Sequence, residues 1–291
     1  MPRPRLLLST LALPFLALAL AACGSSGGAP ATTGSPAVTT AKAQAQPTAQ
    51  AKQAVAAAAA KTKSSNVHVD VDISLRKPGA TNVLVYGATG NFTSDGGRFE
   101  IDRRRIGGSL QHEIVWRKGG HLILYTNPTL VPLPKGKTWL EVDMSKYALD
   151  RYGANTTFLA GADQDPIEAL NLVTAKSARV TDLGQDWLPD NTLNQHYRAK
   201  VNIVSVAKDE GVKGNGLQAL IADLGRQTQT IDIWVSKQSR VARVEVQGPV
   251  TANGAKLQQK SIADFTKYGE QVSLSLPPAK KTQDYFQLTS K

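Results

Sequence analysis

Val67, Val69, Val71, Ile73 and Leu75 alternate with His68, Asp70, Asp72 and Ser74. Side chains two residues apart share one face of an extended chain, whereas a helix would scatter these five around its circumference. The segment can gather its apolar residues only as a β-strand. Leu84, Tyr86, Ala88, Gly90 and Phe92 repeat the period. Phe99 and Ile101 follow the turn signal Asp95-Gly96-Gly97, and His112, Ile114 and Trp116 lead into Gly119-Gly120. Leu122 and Leu124 begin the returning strand, and Leu140 and Val142 carry the next. Alternating runs separated by glycine turns read as hairpins, so the first half predicts a meander of about six antiparallel strands.

The second half mixes strands with helices. Strands are expected over 179–183 and 196–204, then over 228–235 and 241–246 with a turn at Lys237-Gln238-Ser239. Another covers 256–265, and Val272, Leu274 and Leu276 are expected to end the sheet before Pro277-Pro278. Three helical patterns accompany them. The alanine-rich segment 48–64, with Val55 as its only large apolar residue, predicts a thin helix lying close against a sheet. Asp165-Pro166-Ile167-Glu168 places a capping aspartate, a first-turn proline and a glutamate three residues after the cap, opening a helix to about 178. Leu217, Leu220, Ile221 and Leu224 recur at helical spacing as one apolar stripe. The fold class is α+β, a wide, curved antiparallel sheet closed by a few helices, with no second domain boundary over 48–291. The apolar faces must turn toward each other. The ligand-facing set is therefore Val69, Val71, Ile73, Leu84, Tyr86, Phe99, Ile101, Ile114, Trp116, Leu122 and Leu124 from the sheet, with Leu217, Leu220, Ile221 and Leu224 from the helix. Pattern alone leaves open whether the space between them is a packed core or a cavity.

The N-terminus carries a separate signal. Arg3 and Arg5 precede an apolar run from Leu6 to Leu20, broken by Ser9, Thr10 and Pro14. The run is short for a membrane span and suits a secretory signal. It ends in Leu20-Ala21-Ala22-Cys23, which looks like the lipobox of a bacterial lipoprotein signal at all four positions. Cys23 would receive a diacylglyceryl group, with palmitate-type acylation anchoring the chain on the extracytoplasmic face of the cell membrane. As the only cysteine in the chain it also excludes an intramolecular disulfide, so the core alone must hold the fold. Residues 1–22 form the signal peptide, and 23–47 a lipidated tether of Gly, Ser, Ala, Thr, Pro and Gln that buries nothing. As a random coil, 24 such residues reach about 25–30 Å.

Catalytic patterns are weak. No G-x-S-x-G elbow occurs, the one match to the pattern, Gly24-Ser25-Ser26-Gly27-Gly28, falling in the polar tether and not between a strand and a helix, and Gly211, Gly214 and Gly216 lack the dinucleotide-binding spacing. Ser74-Leu75-Arg76-Lys77 and Ser205-Val206-Ala207-Lys208 match S-x-x-K, but each is expected at a strand end and no K-T-G follows. The histidines, His68, His112, His121 and His196, lack metal-ligand spacing, although His112 and His121 can face each other across the 119–120 hairpin. Solvent-facing strand positions account for them better than a metal site, and likewise for Asp70 and Asp72. The formal charge of +11 falls to +9 when Arg3 and Arg5 leave with the signal. Outside the membrane this balance suits solubility near anionic lipid or wall polymer, or nothing specific, rather than nucleic-acid binding. Arg103-Arg104-Arg105 reads as a solvated hairpin end.

Several features together resemble a known family. They are the lipobox, the polar tether, the N-terminal helix, the strand Lys137-Thr138-Trp139-Leu140-Glu141-Val142-Asp143, and Asp232-Ile233-Trp234-Val235 paired with Val241-Ala242-Arg243-Val244-Glu245-Val246. Over roughly 48–278 the chain looks like LolA-type lipoproteins, most of all the actinobacterial LppX/LprG lipid carriers. The resemblance implies a half-barrel around helices, a cavity for acyl chains, and movement of lipid or lipoglycan across the envelope. It supplies no catalytic motif and does not explain Tyr285, Phe286 and Leu288 in the tail. The expectation is a monomeric, non-enzymatic lipid carrier without metal or cofactor, its partners being the membrane and a lipid or lipoglycan. The alternative is an envelope interaction module with a packed core.

Overall fold

The computed structural model describes residues 47–80, 84–93, 96–104, 110–118, 121–127, 132–154, 166–252, 255–273 and 275–289. Cys23, the segment 24–46, the Arg105 end of the basic run, the Asp165 cap and Leu274 lie outside them.

Among the described residues, twelve strands make one sheet. In chain order they are β1 (Val67–Arg76), β2 (Leu84–Thr93), β3 (Gly96–Arg104), β4 (Leu110–Lys118), β5 (His121–Asn127), β6 (Trp139–Asp143), β7 (Arg179–Trp187), β8 (Leu193–Asn202), β9 (Thr228–Val235), β10 (Val241–Ala252), β11 (Ala255–Thr266) and β12 (Thr282–Asp284). The spatial order is β12-β6-β5-β4-β3-β2-β1-β11-β10-β9-β8-β7. Two meanders therefore share the central strand β1, which pairs antiparallel with β2 on one side and β11 on the other. Only β12 runs parallel to its neighbour, β6. Val272 and Leu276 belong to no strand, correcting the expectation for this stretch: the last long strand ends at Thr266, and Pro277-Pro278 lead instead into a short 3-10 turn, Ala279–Lys281.

Six helices among the described residues accompany the sheet: α1 (Ala49–Lys63), α2 (Met144–Tyr152), α3 (Pro166–Thr174), α4 (Ile203–Asp209), α5 (Gly214–Leu224) and α6 (Tyr285–Thr289). Helix α1 starts where the Thr48 side chain accepts a hydrogen bond from Ala51 N at 3.0 Å. It buries Ala51, Val55, Ala58 and Ala59, so an alanine face lets its backbone lie close to its neighbours. Pro47 forms an antiparallel bridge with Thr181, and Thr48 N donates to Val180 O at 3.0 Å. Helix α2 grows directly out of β6, because the Asp143 carboxylate accepts from Ser145 N and Lys146 N at 2.9 and 3.0 Å. It stops at Gly153, whose φ of 76° suits glycine. A helix also stands at 203–209, where Asn202 caps Ser205 N at 2.9 Å and ends β8 sooner than expected.

Direct cross-strand partners share a face. From Val69 opposite Gly90, Gly90 opposite Phe99 and Phe99 opposite Val115, one continuous face carries Val67 to Leu75, Ala88, Phe92, Phe99 and Ile101. It continues through Phe265, Ala263, Val244, Ile233 and Tyr197 on the other meander. These residues form one buried cluster with Val55 of α1, Leu170 of α3, Ile203 of α4 and Leu220 of α5. The helices thus cover a single, concave face of the sheet. Gly90 and Gly97 are required there: a Cβ would lie 2.3 Å from Phe99 Cδ2 and 2.1 Å from Phe92 Cδ1, respectively, and the two rings pack with centroids 6.0 Å apart.

Candidate functional site

The concave face is the candidate site. Val69, Val71, Ile73, Phe99 and Ile101 lie on it and are buried, and Leu122 and Leu124 join it through their register with Arg117 and Val115. Leu84 and Tyr86 occupy concave register positions opposite Leu75 and Ile73, and their side chains lie outside the described residues. On α5, Leu220 and Leu224 are buried, while Leu217 and Ile221 are half-buried. Helix α5 is stapled to α2 by Asp223, which accepts from Arg151 Nε and Nη2 at 2.8 and 3.0 Å and from the Tyr152 hydroxyl at 2.8 Å.

Ile114 and Trp116 do not join this face. Register places Ile114 opposite Glu100 and Tyr125, and Trp116 opposite Arg98 and Ile123, on the convex side. The concave residues of β4 are Glu113, Val115 and Arg117. Ile114-Val115-Trp116 is apolar in both phases of the alternation, so local pattern misplaced the strand by one residue. The true phase is tolerated because Arg117 forms an ion pair with Glu168 of α3, a residue 1% exposed whose Oε2 accepts from Asn171 Nδ2 at 2.9 Å. Lys63 Nζ, at the end of α1, donates to Asn171 Oδ1 at 3.0 Å. This chain ties β4, α3 and α1 together across the concave face. Removing one partner of such a buried pair costs about 3–5 kcal/mol.

Other polar candidates separate. His112 is opposite Asn127 and His121 opposite Lys118, so they sit at opposite ends of the β4–β5 hairpin rather than face to face. His112 Nε2 lies 3.2 Å from Glu100 Oε2, and His121 Nδ1 3.7 Å from Asp143 Oδ2. Ser205 and Lys208 fall within α4 rather than at a strand end, and Lys208 is exposed. On the convex side, sequence reasoning missed a network across β7, β8 and β9. His196 stacks on Trp234 with centroids 4.2 Å apart, its Nε2 is 2.9 Å from Asp232 Oδ1, and its Nδ1 is 3.7 Å from Asp186 Oδ2. Arg198 Nε donates to the same Asp232 oxygen at 2.8 Å. Burial pushes the Asp232 carboxyl up, but hydrogen bonds from His196 and Arg198 outweigh it and hold the group below its ordinary value. The network locks three strands, and Asp232↔Arg198 register is the signal that links its members.

Among solved structures, the chain is similar to LprF from Mycobacterium bovis, with 14% identity over 80% of this chain and 99% of that one, at a TM-score of 0.43. It is also similar to the lipoprotein LppX from Mycobacterium tuberculosis, with 11% identity over 77% and 97% and a TM-score of 0.37. A LolA superfamily protein from Nitrosomonas europaea matches with 10% identity over 78% and 94% and a TM-score of 0.28. The likeness is one of fold. No protein-family model matches the chain, and no curated protein does.

Proposed function

We propose that this chain is a lipid-anchored, extracytoplasmic lipoprotein. It holds an amphipathic lipid or lipoglycan between the concave face and the helices, and transfers or presents it in the cell envelope. The observation that carries this is the continuous apolar face running across both meanders, on which, among the described residues, short helices and the thin, alanine-faced α1 pack. An acyl chain needs a long dry surface with few polar groups, and this face offers one. Ligand-facing residues are Val69, Val71, Ile73, Phe99, Ile101, Leu122 and Leu124, with the stripe of α5. No catalytic constellation or cofactor is assigned.

Native mass spectrometry of the chain purified from a lipid-containing host tests this, paired with Ala88→Trp. Ala88 sits between Val71 and Ile101 at the middle of the concave face. With a lipid space the variant keeps its melting temperature and carries less acyl chain. In a fully packed core the indole costs about 1–3 kcal/mol or more. Strong destabilisation with no lipid on the parent protein sinks the carrier. It leaves an interaction module, for which the exposed Trp187 (65% accessible) at the tip of β7 is the favouring observation.

A further inference from the structure

Among the described residues, Arg226, Gln229, Gln259 and Ser261 are buried polar groups toward one end of the concave face. Hairpin connectivity brings the links after β1, β3, β5 and β10 to this same end, together with α4 and α5 between β8 and β9. Gln229 pairs in register with Val201, Gly248 with Gln259, and Gln259 with Leu75, so the polar groups lie in one row across the sheet.

Gln229 is 1% exposed. Its Nε2 donates to Thr230 O at 2.8 Å and to Gln247 O at 2.9 Å. Those two carbonyls fix the amide orientation, since reversing it would set Oε1 against two acceptors. Oε1 is then a buried acceptor that no donor among the described residues meets. Folded interiors rarely keep such an atom without a use. It faces Gly248, which is itself half-buried. A Cβ there would lie 3.3 Å from Arg226 Cδ, 3.7 Å from Gln229 Oε1 and 3.8 Å from Arg226 Nε. Arg226 is held over this recess by its Nη1, which donates to Pro249 O at 2.9 Å. The missing side chain keeps open the space where an acceptor and a guanidinium converge.

We propose that the recess at Gly248 binds a free hydroxyl of the carried lipid, which donates its proton to Gln229 Oε1 and accepts from the Arg226 guanidinium. A phosphate or ester offers only acceptors and leaves Oε1 unmet, whereas an ammonium meets Oε1 but is repelled by Arg226. A hydroxyl satisfies both. This rests on the carrier function above and adds a preference within it. The test is uptake by the purified full chain from phosphatidylcholine vesicles containing either dioleoylglycerol or its acetylated counterpart, which lacks the hydroxyl. The native chain is expected to take the free-hydroxyl lipid about tenfold better, the worth of one buried hydrogen-bonded group. Gly248→Ala, which fills the recess without removing a polar group, should abolish that preference. Gln229→Met provides a second variant if the alanine variant does not fold. Equal uptake of both lipids by the native chain, as when only water occupies the recess, overturns the hydroxyl site and leaves the carrier standing. An undiminished preference in folded Gly248→Ala does the same. Uptake of neither lipid overturns both.

Discussion

Asp232 shows how a single residue can hold a sheet. It is buried on the convex side, and Arg198 and His196 both reach it from the neighbouring strand β8. Its folded titration point lies below the ordinary carboxyl value, so its contribution is complete above about pH 3.9 and disappears as the pH falls through the lower, folded value. Asp232→Asn removes this acid-side term and weakens charge-assisted hydrogen bonds worth about 1.5–3 kcal/mol at neutral pH. Denaturant titrations at a series of pH values should therefore converge for the two proteins under acid. Parallel curves, keeping the neutral-pH gap below pH 3, would show that the pairing does not stabilise the fold. On the opposite face, burial raises the Tyr152 hydroxyl, and its bond to Asp223 adds to the shift, so α2 and α5 stay joined through the neutral range.

Among the elements, the tail has the least expected role. Helix α6 buries Tyr285 against Leu140 and Val142, in a small cluster at the β6 end of the sheet, with Phe286 and Leu288 packed around it. Strand β12 runs along β6, Lys137 Nζ donates to Thr282 O at 2.7 Å, and Lys146 Nζ sits 4.2 Å from the Phe286 ring centroid. The tail covers what would otherwise be a bare edge strand, a template for pairing with other chains. Tyr285→Ala should lower stability by about 3 kcal/mol, as for other buried aromatics. Deleting residues 279–291 should in addition promote self-association, visible by light scattering. A deletion variant that stays monodisperse with an unchanged denaturation midpoint would deny the tail this role.

At the scale of the molecule, β1 is the keystone. The first strand is zipped to β11, the last long one, so the two meanders join only through contacts across most of the chain. Such topology folds slowly. It also leaves the N-terminal side of α1 next to the edge strand β7, where Pro47 bridges Thr181. The anchor proposed at Cys23 is thus separate from the sheet in sequence and in task. Cys23→Ser should leave the circular dichroism spectrum and melting temperature unchanged and move the protein from the membrane to the soluble fraction. Sedimentation of the variant with membranes after a salt wash would refute the anchor.

Period-2 alternation by itself determined that the chain builds an antiparallel sheet with one apolar face, because only that geometry gathers Val67 to Leu75 on one side. Alanine content and the Thr48 cap determined α1, and the spacing of Leu217 to Leu224 determined the stripe of α5. These are local properties, readable within ten or fifteen residues. Phase was not local at β4, where Ile114, Val115 and Trp116 satisfy either face. The pairing of Phe99 with Val115, and a glutamate on a distant helix able to neutralise Arg117, decided it. The tail was likewise opaque, since Tyr285 gains its meaning only from Leu140 and Val142, far away in the chain. The recess at Gly248 needed Arg226 and Gln229 to meet a glycine on the neighbouring strand β10. Local periodicity chooses which residues seek burial, but only long-range register chooses what they are buried against.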